Sequence, residues 1–340
     1  MSIFEKNVAY RPFKYPWAVE AEKVHRIDMN WHENQIDLQD DLRQYNSKNE
    51  LATKDVSHKD NKFLLDKLLL LFTEMDVCVA GGYSKLLPYV ENNEIKTMWL
   101  TFACREVTHQ RAYALAAETF GFSNSDWSMF KEYKEMQDKV DLLSQDIGDL
   151  SNKLNFCKML SVVLLGEGIA LFGAFACLLN LRRFGKLMNF NSVNDWSLTD
   201  EDDHVSRNIQ VLREATKELS EEEVNELFAF IRETISRYVM AEHKFIDLLF
   251  EKSDQQDLTK EQMKEFINYL GDLRAYQTGA NSFPPEKDNP LEWIDYLLSG
   301  SKHTNFFENR VADYSHDKLQ GETDYEKFKS KLEDRLLGGI

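Results

Sequence analysis

Apolar residues recur three or four positions apart along most of this chain, which is the spacing expected of helices that bury one face or more. One such apolar seam runs through Trp99, Phe102, Ala116 and Phe120. The 340 residues include only 6 prolines and 14 glycines, and no sustained alternation of β-branched residues marks a strand. The pattern therefore predicts an all-α protein built from long helices.

The predicted helices follow an irregular, polar N-terminal segment. They cover residues 61–81, 94–120, 126–143, a strongly apolar stretch at 159–181, and residues 193–219, 220–250 and 263–275. Gly121 stands where a left-handed residue would end the second helix. Ser220 with Glu223, and Thr259 with Gln262, form the capping-box pattern that begins a helix.

Composition divides the chain into three predicted parts. Residues 1–60 form an arm that packs on the body of the protein through the aromatic residues Tyr10, Phe13, Trp17 and Trp31. Residues 61–314 form the helical body itself. Residues 315–340 are polar and charged with few apolar anchors, which predicts a flexible C-terminal tail.

A polar triplet interrupts the apolar seam of the second helix. Glu106, His109 and Tyr113 lie at positions i, i+3 and i+7, so they share one face of the helix where a core was expected. Burying a carboxylate costs several kcal/mol unless another group compensates its charge. A bound metal ion is one such compensation.

An acidic residue three positions before a histidine occurs five times, so this spacing alone carries little information. Three of the five pairs lie in polar surroundings, where a solvated pair is expected: Glu22/His25, Asp55/His58 and Asp313/His316. The other two, Glu106/His109 and Glu201/His204, lie in long helical segments with apolar flanks. These two pairs are the candidates for metal binding.

Two helices that each contribute Glu-x-x-His, together with two that each contribute one carboxylate, are the known ligand set of ferritin-like di-iron and di-manganese bundles. Glu167, in the apolar helix, is the candidate for one lone carboxylate. The other comes from Glu74 or Asp76, which point roughly 200° apart on one helix, and Asp76 is preferred. The predicted fold is a ferritin-like helical bundle with additional helices.

These residues resemble the small, radical-bearing subunit of class I ribonucleotide reductase. REVTHQRAYAL (105–115), LLGEGIALFGAFACLL (164–179) and NDWSLTDEDDH (194–204) are similar to its ligand helices. YPWAVEA (15–21), MNW (29–31) and IDL (36–38) are similar to its N-terminal arm, and TNFFENR (304–310) resembles a late motif of some members. The resemblance lies in the order of these motifs rather than in any single one.

The resemblance implies a role for each matching residue. The implied metal ligands are Asp76, Glu106, His109, Glu167, Glu201 and His204. Tyr113 would carry a stable radical formed with dioxygen, and Asp200 and Trp31 would relay the oxidising equivalent. In such a relay Asp200 hydrogen-bonds both His109 and Trp31. A tail tyrosine, Tyr325 rather than Tyr314, would pass the equivalent to the large catalytic subunit, which reduces ribonucleotides to deoxyribonucleotides. A homodimer is also implied.

The metals remain open because the same six ligands accept iron or manganese. A di-iron centre is the first expectation, with dimanganese and manganese–iron centres as alternatives. Tyr113 is retained, which argues against the subgroup that replaces it with phenylalanine and uses manganese–iron. The chain departs from the family at its C-terminal end, RLLGGI (335–340), which lacks the acidic-aromatic ending common there.

Charge and composition exclude several other classes of function. The formal net charge is −17, and no basic run with interleaved aromatic residues predicts binding to nucleic acid. Four scattered cysteines and an N-terminus unlike a signal peptide predict a cytoplasmic protein. Residues 159–181 are long enough to span a membrane, but the central Glu167 favours a buried core helix and no membrane.

Two alternatives on the same bundle remain. One is an oxidase or oxygenase that acts on a small apolar substrate without a partner protein. It would need a cavity beside the metals and no radical path, so Trp31, Asp200 and the tail tyrosines weigh against it. The other is a metal-free helical scaffold. That scaffold would leave Glu106, Glu167 and Glu201 buried without compensation.

Overall fold

The protein is helical throughout the region that the computed structural model describes, residues 2–295, where no strand is present. The α-helices of this region are α1 (Pro16–Lys23), α2 (Gln39–Asn46), α3 (His58–Leu86), α4 (Asn93–Thr119), α5 (Lys134–Ser144), α6 (Lys153–Leu165), α7 (Phe172–Arg183), α8 (Met188–Thr216), α9 (Glu221–Leu249) and α10 (Lys260–Gln277). The all-α prediction is confirmed.

The long helices pack as a bundle around an apolar core. α3 lies along α4, α6 packs on α8 and α9, and α9 packs on α5 and α10. The short connection over residues 87–92 makes α3 and α4 antiparallel neighbours. This arrangement brings the inner faces of α3, α4, α6 and α8 together.

Local signals identified the end of α4 and the beginnings of α9 and α10 correctly. Gly121 has φ +95°, and the amides of Gly121 and Phe122 bond the carbonyls of Glu118 and Ala117, so the left-handed end of α4 is confirmed. Both predicted capping boxes are present, at Ser220 and at Thr259. These short motifs satisfy backbone N–H groups that the first turn leaves without partners.

The end of α3 was predicted wrongly at residue 81. The helix continues to Leu86 across two glycines, because Gly82 serves close packing instead of ending the helix. A Cβ atom at Gly82 would lie 2.5 Å from Cγ2 of Val163 on α6. Glycine at this position lets α3 and α6 approach each other closely. This close packing outweighs the lower helical propensity of glycine.

The strongly apolar stretch is the central helix of the bundle. It comprises α6, a π-helical turn over Gly166–Ala170, and α7. The segment Lys153–Arg183 has the length and hydropathy of a membrane span, but its most apolar window is 100% buried inside the protein, as in the core helix of a soluble protein. π-Turns inside α-helices are frequent at functional sites, and Glu167 lies within this one.

The N-terminal segment is more regular than predicted. It contains α1, a π-helical turn over Val24–Asp28 and α2, and α1 packs on α4. The carboxylate of Glu94, in the first turn of α4, accepts hydrogen bonds from the backbone amides of Lys14 and Tyr15. Trp31 is 1% exposed, but Tyr10 is 70% exposed and does not pin the arm.

Residues 126–143 also differ from the single predicted helix. A 3-10 helix covers Asp126–Glu132, and α5 begins only at Lys134. The described residues lie in one compact unit. The predicted boundary at residue 314 and the tail at 315–340 lie outside the described residues.

Candidate metal centre

Six acidic and imidazole side chains from four helical elements converge in the core of the bundle. α3 contributes Asp76, α4 contributes Glu106 and His109, the π-turn contributes Glu167, and α8 contributes Glu201 and His204. Each of the six is at most 1% exposed. The structure thus brings together all six residues predicted as ligands. Of the two candidates on α3, it places Asp76 in the cluster, whereas Glu74 is only half-buried.

The six side chains form two overlapping groups. Asp76, Glu106 and His109 are called here the first half of the centre, and Glu106, Glu167, Glu201 and His204 the second half. Within each half, one ligand atom per residue lies within 4.8 Å of the others. Glu106 belongs to both halves, so it would serve as a ligand in each of them.

Both imidazoles direct Nδ1 toward the carboxylates. His109 Nδ1 lies 3.1 Å from Oε1 of Glu201 and 3.5 Å from Oε2 of Glu106. His204 Nδ1 lies 3.2 Å from Oε1 of Glu106 and 3.5 Å from Oε1 of Glu167. The Nε2 atoms therefore face away from the cluster.

Many buried polar atoms of this cluster have no hydrogen-bond partner, which is costly for buried groups. They are Oδ2 of Asp76, both carboxylate oxygens of Glu106 and of Glu201, Nδ1 of His109 and Nδ1 of His204. Carboxylate oxygens and imidazole nitrogens are the donors that iron and manganese take in proteins. The residues present therefore fit a pair of divalent cations.

The pKa values of the cluster show how strongly its groups act on one another. Burial raises the pKa of Glu106, but the charge of His109 and the close approach of both imidazoles, at 3.5 and 3.2 Å, outweigh it, and the pKa falls to about 2. Burial lowers the pKa of both imidazoles, yet the carboxylates around them raise both well above the usual range. Burial raises the pKa of Glu167 to about 7. Protons on these groups thus supply the positive charge that cations would replace.

The first half is connected outward through Asp200. Oδ2 of Asp200 lies 3.0 Å from Nε2 of His109 and accepts a hydrogen bond from Nε1 of Trp31, also at 3.0 Å. The Trp31 ring stacks on His109 with centroids 5.6 Å apart and planes 14° apart. The geometry that the resemblance implied for Asp200 is present, with both bonds on one oxygen.

Arg105 joins the same group and was missed from the sequence. Its Nε and Nη2 lie 3.2 and 3.1 Å from Oδ2 of Asp200, its Nη1 donates to the Trp31 carbonyl, and its guanidinium lies 4.8 Å from the Trp31 ring centroid. Burial raises the pKa of Asp200, but the charge of Arg105 and the hydrogen bond from His109 hold it well below its usual range. Asp200 is therefore an anion.

His25 was predicted to form a solvated pair with Glu22, and that prediction is wrong. His25 is fully buried, with Nε2 at 3.1 Å from Oδ2 of Asp203 and Nδ1 at 3.4 Å from Oδ1 of Asp200. Glu22 instead pairs with Arg26. The partners of His25, Asp200 and Asp203, lie 175 and 178 residues away in the sequence, so local spacing gave no signal for them.

Tyr113 is enclosed by aromatic rings. It is 1% exposed, stacks on Phe72 with centroids 4.3 Å apart, and meets the edge of Phe190 at 6.0 Å. Its phenol oxygen has no hydrogen bond of regular geometry, and the Ser197 side chain is the donor that acts on its pKa. Burial, together with the nearby charge of Asp76, raises the pKa of Tyr113 well above its usual range.

The second half has a different set of outer partners. Glu167 accepts hydrogen bonds from the Tyr83 phenol at 2.7 Å and from Nδ2 of Asn208 at 3.0 Å. Neither donor was predicted, although the signal existed. Tyr83 is seven positions after Asp76, and Asn208 is seven positions after Glu201, so extending the ligand faces by two turns would have found both. The relay candidates Tyr325 and Tyr314 lie outside the described residues.

Comparisons with known proteins agree with this geometry. The family profile described as "Ribonucleotide reductase, small chain" matches residues 7–290. A probable ribonucleoside-diphosphate reductase small subunit of Invertebrate iridescent virus 3 is 27% identical over 339 residues, covering 95% of this chain and 88% of the viral protein.

Solved structures show the same fold at low sequence identity. The dimanganese(II) NrdF protein of Streptococcus sanguinis is similar with a TM-score of 0.71 and 16% identity, covering 87% of this chain and 99% of its own. The ribonucleotide reductase Rnr4 homodimer of Saccharomyces cerevisiae is similar with a TM-score of 0.69 and 17% identity, covering 92% of each chain. The ferritin-like prediction is thereby confirmed.

Proposed function

Because the chain belongs to the ribonucleotide reductase small-chain family, whose members are components of an oxidoreductase, we propose that it generates and stores a tyrosyl radical for its large catalytic subunit. The radical would reside on Tyr113. The large subunit would use it to reduce ribonucleotides to deoxyribonucleotides in the cytoplasm.

One observation carries this proposal: a buried set of six metal-type donors, many of whose atoms have no other partner, lies beside a dry, enclosed tyrosine. When bound, two iron or manganese ions at these residues would supply the redox chemistry with dioxygen. The proposed ligands are the six residues of the two halves. Since the S. sanguinis neighbour is a dimanganese protein, manganese is as open as iron.

The surroundings of Tyr113 suit a residue that is oxidised to a radical and then kept away from water. Its raised pKa keeps the proton on the phenol oxygen, so oxidation of Tyr113 to a neutral radical would give one electron to the loaded metal centre and one proton to a base of that centre. Asp76 is the carboxylate that acts most strongly on it. Phe72 and Phe190 cover the ring and exclude water that would otherwise quench a radical.

Trp31, Asp200 and His109 form a continuous contact from the centre to the N-terminal segment. We assign the outward relay to this series because Trp31 and His109 share the same Asp200 oxygen and stack on each other. Tyr325 remains the proposed relay residue of the tail. The large subunit would receive the oxidising equivalent there.

The proposed homodimer has a candidate face on α3 and α4. Val77 and Val107 directly follow Asp76 and Glu106, so each lies about 100° round its helix from the centre. Val77 is 51% exposed on α3. On α4, Leu100, Cys104 and Val107 share one face at positions i, i+4 and i+7, where Leu100 is 54% exposed, Val107 is 42% exposed and Cys104 is also exposed. An exposed apolar face of this kind marks an interaction site, and the yeast neighbour is a homodimer.

Sedimentation tests this face. Leu100→Glu should convert the dimer to a monomer, while Met240→Glu, at a 58% exposed apolar position on α9, should leave it a dimer. A Leu100→Glu protein that sediments like the wild type would place the interface elsewhere. A monomeric wild type would exclude the homodimer.

Electron paramagnetic resonance tests the radical. Metal-free protein is given ferrous iron and dioxygen, and in a parallel sample manganese with a flavoprotein activator. The wild type should show a tyrosyl signal that is absent in Tyr113→Phe and present in Tyr45→Phe. A signal that survives Tyr113→Phe would overturn the assignment, and metal uptake without any radical would favour the oxidase alternative.

A further inference from the structure

Glu167 differs from the other carboxylates of the centre in its hydrogen bonds. Both of its oxygens accept one, from Tyr83 and from Asn208. Both oxygens of Glu106 and of Glu201 lack any hydrogen-bond partner, and so does Oδ2 of Asp76. Among the described residues, the Glu167 carboxylate is therefore held by side chains outside the centre, whereas these five oxygens of its neighbours are left for cations.

The donors form a one-way series that ends on Glu167. The indole N–H of Trp99 can only donate, and it lies 2.9 Å from Oδ1 of Asn208. Nδ2 of Asn208 therefore faces the other way and donates to Oε2 of Glu167 and, at 2.7 Å, to the Tyr83 oxygen. The single proton of the Tyr83 phenol is then left for Oε1 of Glu167. The series fixes the orientation of the amide and of the phenol together.

The backbone beneath Glu167 is confined by its neighbours. A Cβ atom at Gly166 would lie 2.3 Å from Cδ2 of Leu143, and one at Gly168 would lie 2.7 Å from Nε of Arg274. Arg274 also donates from Nε to the Gly168 carbonyl at 3.2 Å. Because the π-turn is packed on both sides, the remaining freedom of Glu167 is in its side chain.

We propose that Tyr83 and Asn208 are positioning residues that hold the Glu167 carboxylate in place as a ligand of the second half. Their hydrogen bonds fix the side chain that the packed π-turn leaves free, and so they set the affinity of the second half for its cation. This inference rests on the proposed dinuclear centre. It assigns an outer partner to the second half, as Asp200 is the outer partner of His109 in the first.

In the test, metal-free protein is titrated with Mn²⁺, and the number of bound ions and their affinities are measured by calorimetry. Wild type should bind two ions. Tyr83→Phe keeps the ring and removes the donor, so the affinity for one ion should fall by about 10- to 100-fold, the usual effect of losing an outer partner, while the other affinity stays unchanged. Asn208→Ala, which removes the second donor, should weaken the same ion.

Tyr45→Phe is the matched control. The Tyr45 phenol is also buried and donates to a carboxylate, Oδ1 of Asp66 at 2.7 Å, but outside the centre. Tyr45→Phe should lower the unfolding temperature of the metal-free protein, as Tyr83→Phe does. It should leave both Mn²⁺ affinities unchanged. A role of Tyr83 in folding alone would give the two variants the same result.

The outcomes separate the two proposals. If wild type binds two ions and both Tyr83→Phe and Asn208→Ala bind them equally well, the positioning role is wrong and the dinuclear centre stands. If both variants weaken the two ions equally, the role is also wrong, because the effect is not specific to the second half. If wild type binds no ion, the dinuclear centre itself is wrong and this inference falls with it.

Discussion

The two halves of the centre share Glu106 but have opposite surroundings. Behind His109 in the first half lies a charged group in which Asp200 contacts Arg105, Trp31 and His25. In the second half, Nε2 of His204 has no hydrogen-bond partner among the described residues, and the His204 ring centroid lies 4.1 Å from that of Phe102 and 5.0 Å from that of His25. Its fixed partners, Tyr83 and Asn208, are neutral and act on Glu167.

This difference indicates that the two halves of the centre have different roles. In the first half, His109 is linked to Trp31 through hydrogen bonds to the Asp200 anion. The ring centroid of Trp31 lies 5.3 Å from that of the half-buried Trp196. A chain of hydrogen-bonded charges and stacked rings suits the transfer of an oxidising equivalent toward the surface. Among the described residues, no ionic hydrogen bond leads outward from Glu167 or from Nε2 of His204, and the neutral network of Tyr83 and Asn208 suits a ligand that must be held.

The largest expected effect comes from removing the residue that both halves share. Glu106→Ala should abolish binding of both ions, because each half loses a carboxylate and its bridge. Metal analysis after reconstitution measures this, with Glu118→Ala, an exposed carboxylate on the same helix, as the control. If Glu106→Ala retained two ions, the two halves would not share a ligand.

A smaller effect, confined to the first half, is expected at Arg105. Arg105→Met leaves Asp200 as a buried anion without its main counter-charge, which should lower the free energy of unfolding by about 3–5 kcal/mol. Arg111→Met, at a side chain 69% exposed on the same helix, should change it by less than about 0.5 kcal/mol. Urea denaturation of the metal-free proteins compares them.

Arg105→Lys completes that experiment. Lysine supplies the charge but not the planar fork that contacts Asp200 through two nitrogens, so only part of the lost stability should return. Equal stability of wild type and Arg105→Met would show that the charged group behind His109 is not anchored by Arg105.

The smallest expected effect is a pH dependence that both halves share. Cations must displace protons from His109 and His204, whose pKa values are raised well above the usual range, and from Glu167, whose pKa is about 7. Affinity should therefore rise with pH and fall as pH drops below 7, and binding should release protons. Calorimetry in buffers of different ionisation enthalpy measures the release. Affinities independent of pH would contradict the protonation described for the cluster.

Sequence reasoning found what local pattern and chemical context determine. The capping boxes at Ser220 and Thr259 needed only four consecutive residues, and the Glu-x-x-His pairs stood out because their flanks are apolar. His25 and Arg105 were missed because their partners lie on other helices, 178 and 95 residues away. The length of α3 depended on a contact between Gly82 and Val163 that no local pattern reveals.

The positions of the bound ions test the dinuclear centre most directly. Crystals of protein loaded with Mn²⁺ are measured by anomalous diffraction at the manganese edge. Two peaks are expected, one among Asp76, Glu106 and His109, and one among Glu106, Glu167, Glu201 and His204. A single peak, or peaks away from these residues, would contradict a dinuclear centre with two different halves.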